Sequence, residues 1–144
     1  MAFSSVHEMI DLCKESGKPL YELILESDLA ESGLTRAESE AEMHRLWAVM
    51  QATSDGYCGA DRSMSGFAGG DAAKVNAAAA RGVLYADGYF ADVMAEALKT
   101  AECNACMKRI VAAPTAGSCG VLPAVLLPLQ RRGLADEAAV HRAL

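Results

Sequence analysis

Apolar side chains recur along this chain at intervals of three and four residues, the spacing that gathers them on one face of an α-helix. Val6, Met9, Ile10 and Cys13 form the first stripe, behind the capping-box pattern Ser5-Val-His-Glu8 and ahead of Gly17 as a stop. Pro19 opens the next helix, which carries Leu20, Leu23 and Ile24 on one face and runs to Leu29. Thr35-Arg-Ala-Glu38 is a second capping box, and Met43, Leu46, Trp47 and Met50 follow it at i, i+3, i+4 and i+7 in a long helix ending near Gly56. His44 falls at the edge of that stripe with nothing polar spaced to orient it, so a place beside the core is its expected role.

From Tyr57 to Gly70 the pattern lapses into glycine, serine and other small residues, over a length that exceeds a plain connector. The stretch closes on Gly69-Gly70-Asp71. Asp71 is the expected cap of a helix continuing through Lys74, Val75 and the alanines at 77–80. A further helical pattern runs from Asp87 to about Ala112, with Phe90, Val93, Met94, Ala97, Leu98 and Ala101 on one stripe and apolar residues all round in its second half. Such a helix is buried on every side, which places it centrally. No period-two alternation bounded by turn residues occurs, so the predicted fold is all-α and multi-helical, one domain over residues 1–144.

The segment Ala113-Pro-Thr-Ala-Gly-Ser-Cys-Gly-Val-Leu-Pro123 joins a tight loop of small residues to the start of an apolar helix. Pro114 halts the preceding helix and Pro123 suits only a first turn, so the next helix starts near Gly120 or Val121. Gly117 and Gly120 permit backbone angles that other residues resist. The amides from Thr115 to Val121, with the hydroxyls of Thr115 and Ser118, make an arrangement suited to a carboxylate or phosphate, the alternative being an ordinary helix–loop–helix connection. Two glycines before a helix, with Lys74 one turn in, offer a second such place at Gly69, Gly70 and Asp71, or else a simple glycine turn with a solvated lysine. Pro128 is expected to kink or end the helix after Leu127. Asp136 to Leu144 reads as the beginning of a helix with no stop signal.

Pro114-Thr-Ala-Gly-Ser-Cys-Gly-Val-Leu-Pro123 resembles the signature loop of the α chain of iron–sulfur-dependent L-serine dehydratase, and Ser65-Gly-Phe-Ala-Gly-Gly-Asp-Ala-Ala-Lys74 is similar to that family's upstream Gly-Gly-Asp-Ala stretch. The resemblance implies α,β-elimination of L-serine to pyruvate and ammonia, with the iron of a [4Fe-4S] cluster acting as Lewis acid on the departing hydroxyl. It implies substrate binding by Thr115, Ala116, Gly117 and Ser118, with Gly69, Gly70, Asp71 and Lys74 as an adjoining wall, and it names no general base. Phe67 and Cys119 depart from the family pattern at positions that affect pocket size. The family's cluster cysteines lie downstream of the signature loop, so the resemblance implies a C-terminally truncated α chain that binds no metal by itself. It also implies a β-chain partner.

Composition narrows the remaining classes. With 144 residues, 52% hydrophobic, the chain can build a core, and no apolar run approaches the roughly 20 residues that span a bilayer. No basic region followed by an apolar one opens the chain, so a cytoplasmic location is expected. A net charge of -6 argues against nucleic acid as a partner. Five cysteines leave one over from any pairing, and reduced thiols are expected. Cys103 and Cys106 share a face of the predicted helix with Ile110, which favours core packing over a metal site built with Cys119 or Cys58. Truncation would expose apolar surface from Val121 to Leu129 and favour self-association. Two other readings are a non-catalytic helical interaction module and a small metal-binding protein using Cys103, Cys106 and Cys119.

Overall fold

Capping chemistry sets where the helices begin. α1 (Val6–Ser16) starts behind Ser5, whose hydroxyl accepts the Glu8 amide at 3.2 Å, and stops at Gly17 in the left-handed region. Glu8 turns its carboxylate to the Ser4 amide at 2.7 Å, so this box is only half formed. α2 (Leu20–Ser32) opens on Pro19, and α3 (Arg36–Asp55) carries a complete box: the Glu38 amide donates to Thr35 Oγ1 at 3.3 Å and the Thr35 amide to Glu38 Oε2 at 2.8 Å. α4 (Asp71–Ala80), α5 (Gly88–Ala105), α6 (Val121–Arg131) and α7 (Glu137–Ala143) complete the order. The computed structural model describes residues 3–84 and 88–144, and among these every regular element is helical. The expected helix start at Asp87 lies outside the described residues. None of the described helices is long and apolar enough to cross a membrane.

α5 is the spine, packed against α3, α4 and α6, as its all-round apolar pattern predicts. Its contacts are made by small residues: Ala91 and Ala95 are buried, and a Cβ added at Gly120 would lie 3.1 Å from the Ala97 carbonyl oxygen. Gly120 therefore serves close approach. Neither it nor Gly117 adopts a left-handed angle, contrary to expectation. A second layer of core is made by Trp47 and Met50 of α3, Leu126 and Leu127 of α6 and Val140 of α7, with Val111, Leu122 and Leu144 packed against them. Burying a side chain such as Leu127 is worth about 1.5–3 kcal/mol. α1 and α2 contain no fully buried residue.

One predicted helix end is corrected, and of the kink or end expected at Pro128 the end does not occur. α5 stops at Ala105 rather than near Ala112, because Met107 swings to φ 59° while its amide bonds the Asn104 carbonyl and the Lys108 amide bonds that of Cys103. This is a Schellman ending, which usually recruits glycine. α6 in turn runs through Pro128 to Arg131. An interior proline costs about 3 kcal/mol locally, and burial of Leu126, Leu127 and the Pro128 ring on the core side outweighs it. The apolar run at 121–129 is accordingly mostly buried, with only Val121 and Val125 exposed, so the expected apolar surface there is small.

One charged network crosses the core. Glu96 of α5, with its side chain 5% exposed, pairs with Lys99 at 2.6 Å and with Arg131 of α6 at 2.7 Å, and accepts the Ser54 hydroxyl of α3. Burial favours the neutral acid, but the hydrogen bonds from Lys99 and Ser54 and the charges of Lys99 and Arg131 together hold the Glu96 carboxyl below its usual range.

A carboxyl depressed in the folded state contributes stability above its unfolded value, near 4.5, and loses it as pH falls through the folded value. Thermal melts from pH 6 to 3 should therefore lose Tm more steeply for the natural chain than for Glu96→Gln. At the end of α5, Met107 is 82% exposed and spends about 1–2 kcal/mol on a left-handed angle, so Met107→Gly is expected to gain about 1 kcal/mol in chemical denaturation.

Candidate functional site

Gly69 and Gly70 both take left-handed angles, φ 128° and 88°, and a Cβ at Gly69 would sit 2.2 Å from the Asp61 carbonyl oxygen. This kink turns the amides of Gly70, Asp71 and Ala72 toward one point, and Glu102 of α5 occupies it. Its Oε2 accepts from Gly70 at 2.9 Å and its Oε1 from Asp71 at 2.6 Å and Ala72 at 3.2 Å. The Tyr57 hydroxyl adds a fourth bond at 2.6 Å. Desolvation, with the Glu102 hydrogen bond next, pushes the Tyr57 phenol up to about 12, so it remains a donor at neutral pH.

The anion-binding geometry read at the Gly-Gly-Asp block is therefore present and is filled by the chain's own carboxylate. Asp71 is the first residue of α4 rather than its cap, which is Gly70. Lys74 pairs with Asp71 at 2.7 Å on the surface, and that bond holds the Asp71 carboxyl below its usual range.

The signature segment folds as a single 3-10 turn, Ala116–Ser118, running into α6. Pro114 follows a cis bond from Ala113. Pro123 lies within the first turn of α6, as predicted. The hydroxyls close the turn on itself: the Thr115 amide donates to Ser118 Oγ at 3.2 Å, and Ser118 Oγ donates to the Ala113 carbonyl at 3.1 Å. Asn104 at the end of α5 holds the Ala116 carbonyl at 3.1 Å through its side-chain amide. Between turn and helix lies a cavity of about 270 Å³, lined by Ala97, Ala101, Asn104, Ala116, Gly117 and Val121 among others. It is of a size for a small metabolite.

Both predicted blocks thus depend on the last turn of α5, through Glu102 for one and Asn104 for the other. They meet different faces of that helix. The crevice beside Gly69 and Glu102 has no room for a water molecule and contains no residue of the signature turn. Glu102 and Asn104 were not singled out in the sequence. The one available signal was a Glu and an Asn in an otherwise apolar stretch predicted to be central.

Cys103 and Cys119 are each 3% exposed, and Cys103 points its thiol at the Thr53 carbonyl, 3.8 Å away. Burial pushes both thiols up, toward the protonated form. Cys106 lies beyond the end of α5, and Phe67 is 95% exposed. His44, by contrast, meets a partner no local spacing shows: the His141 ring of α7, centroids 3.7 Å apart. Burial, followed by the neighbouring His44, lowers the His141 pKa.

The family model described as "Serine dehydratase alpha chain" matches residues 15–144. The chain is 34% identical over 139 residues to the L-serine dehydratase alpha chain of Peptoniphilus asaccharolyticus, covering 96% of this chain and 48% of that protein. It is 29% identical over 130 residues to a probable L-serine dehydratase alpha chain of Bacillus subtilis (strain 168), covering 90% of this chain and 43% of that protein. A third relative is the L-serine dehydratase TdcG of Escherichia coli (strain K12), 32% identical over 135 residues, covering 86% of this chain and 28% of that protein. No solved structure matches. The chain belongs to the serine dehydratase alpha chain family. It spans about half the length of the first curated relatives it matches.

If Glu102 holds the Gly-Gly-Asp kink, Glu102→Ala strands three amides and a phenol, at about 1–3 kcal/mol for each buried donor left unpaired. Hydrogen exchange read by mass spectrometry should then speed up around Gly70 to Ala72 before the rest of α4. Unchanged protection there would mean that the glycines set the kink unaided.

Proposed function

We propose that this chain carries part of the substrate site of an L-serine dehydratase, in which L-serine loses water to give an aminoacrylate, whose imine tautomer is hydrolysed by water to pyruvate and ammonia. The observation that supports this reading most directly is the signature turn itself, a short turn of small residues running into an apolar helix N-terminus beside a small cavity. The first amides of a helix have no partner within it, and the helix dipole favours an anion there. The serine carboxylate would lie against Ala116, Gly117 and the start of α6. Thr115 and Ser118 would exchange bonds within the turn for bonds to substrate, and Asn104 would keep the turn in place.

The Gly-Gly-Asp block takes an indirect part in this reading. Its amides already hold Glu102, and Lys74 is paired on the surface, so Gly69, Gly70, Asp71 and Lys74 support the end of α5 from which Asn104 reaches the turn. Elimination also needs a base at Cα and an acid for the departing hydroxyl. In this reading none of this chain's cysteines is assigned to an iron–sulfur cluster: Cys103 and Cys119 are packed in the core, Cys103 with its thiol on the Thr53 carbonyl. A [4Fe-4S] cluster belonging to the complete enzyme would be held by other residues, and no step is assigned to it here. In this reading the chain works in the cytoplasm beside a serine dehydratase β chain.

Activity is to be measured in the complete enzyme, as pyruvate formed from L-serine. Thr115→Ala and Ser118→Ala should each raise KM roughly tenfold, the loss of about one hydrogen bond to a charged group, with a smaller effect on kcat. Lys74→Ala should change KM less than twofold. If Lys74→Ala costs more than the two hydroxyl variants, the carboxylate site belongs at the Gly-Gly-Asp block instead.

A further inference from the structure

Sharing no residue with the cavity at the signature turn, a groove of about 840 Å³ lies among α2, α3 and α7, and its wall includes Tyr21, Ile24, His44, Glu137, His141 and Leu144. Glu137 and His141 stand four residues apart on α7, one above the other on the same face, and His44 faces them from α3. One ligand atom from each of these three side chains lies within 4.8 Å of the other two. Among the described residues this is the one group of three potential donors drawn so close together.

We propose that His44, Glu137 and His141 bind a single divalent transition-metal ion of the zinc class, with its remaining coordination position open to the groove. Three observations on the page carry this. First, His141 Nε2 is buried with no hydrogen-bond partner, and a coordinated cation would satisfy a nitrogen lone pair that otherwise has none. Second, the two imidazoles are packed ring against ring, 3.7 Å between centroids and tilted by 60°, with the Glu137 carboxylate beside them. A cation between the nitrogens turns that juxtaposition into a bonded one. Third, the donor set of two imidazoles and one carboxylate suits zinc and its neighbours in the Irving–Williams series and does not suit magnesium or calcium, which prefer oxygen throughout.

Binding would draw the three donor atoms together and part the two rings. Ligand bonds of about 2.0–2.1 Å in a tetrahedral site set donor atoms roughly 3.4 Å apart, and the two exposed donors, His44 and Glu137, are free to rotate inward. Three protein ligands with a fourth position facing an open groove is the arrangement of a site that takes a further ligand rather than a closed structural one. The ion would also clamp α7 to α3, whose contact otherwise rests mainly on Val140 against the core around Trp47.

The probe is cobalt(II), added under anaerobic conditions to the intact chain in the assembly in which it purifies, after chelator treatment. Its visible spectrum separates nitrogen and oxygen ligation from thiolate ligation, which matters in a chain with five cysteines. The expected result is one equivalent bound at micromolar or tighter affinity, with no sulfur-to-cobalt charge-transfer band and with displacement by zinc chloride. His44→Ala and Glu137→Gln each remove an exposed ligand and should weaken binding at least roughly tenfold, with circular dichroism confirming retained helix. His7→Ala, on the exposed face of α1, should leave affinity unchanged. Zinc should raise Tm in the natural chain and fail to do so in the two variants. No binding at 100-fold excess cobalt, a thiolate charge-transfer band, or affinity indifferent to both ligand variants would each overturn the proposal.

Discussion

A carboxylate buried at the end of the central helix organises the part of the molecule that holds the candidate site. Glu102 satisfies three amides at the start of α4 and the Tyr57 phenol at once, joining α5, α4 and the start of the loop that follows α3 at one point. Charge-assisted bonds of this kind are roughly twice as strong as neutral ones, and in a buried setting the penalty for leaving any member unpaired is large. The kink at Gly69 and Gly70 makes this arrangement possible. Only glycine tolerates those angles, and at Gly69 any side chain would meet the Asp61 carbonyl.

The same turn of helix then supports the signature segment from its other face. Asn104 reaches the Ala116 carbonyl two residues beyond Glu102, and Gly120 lets α6 approach the Ala97 backbone. A surface made of alanine and glycine leaves a small cavity where larger residues would have filled the space. The unusual end of α5 serves the same geometry. By stopping at Ala105 the helix releases a segment that reverses through Met107 and carries Val111 and Ala113 to the core around Trp47 and Leu127. Continued helix to Ala112 would have carried the signature turn away from Asn104.

Much of the site was legible in the sequence. The signature segment announced its own turn, because proline and glycine restrict the backbone locally whatever surrounds them, and Pro123 marked the first turn of α6 within two residues. The Gly-Gly-Asp block was also legible as a place where amides converge on an anion. Which anion was not legible, since Glu102 lies 31 residues from Asp71 and the bond between them is a product of packing α5 on α4. His44 shows the same limit: its spacing on α3 offered no partner, and the partner arrives on α7 from almost a hundred residues away.

By itself, the sequence determined what depends on nearest neighbours along the chain: the helical class, the caps at Ser5 and Thr35, the stop at Gly17, a helix beginning near Asp136, and the family to which the signature turn points. The tertiary structure decided what depends on long-range competition. It ended α5 at a non-glycine Schellman turn, carried α6 through Pro128, buried the apolar run that the sequence left open, and brought Glu102 to the glycines and His141 to His44. The physical reason is common to all of these. A local preference is worth about 1–3 kcal/mol, and the burial of a few side chains or the satisfaction of a few buried donors, available only when distant helices meet, is worth as much or more.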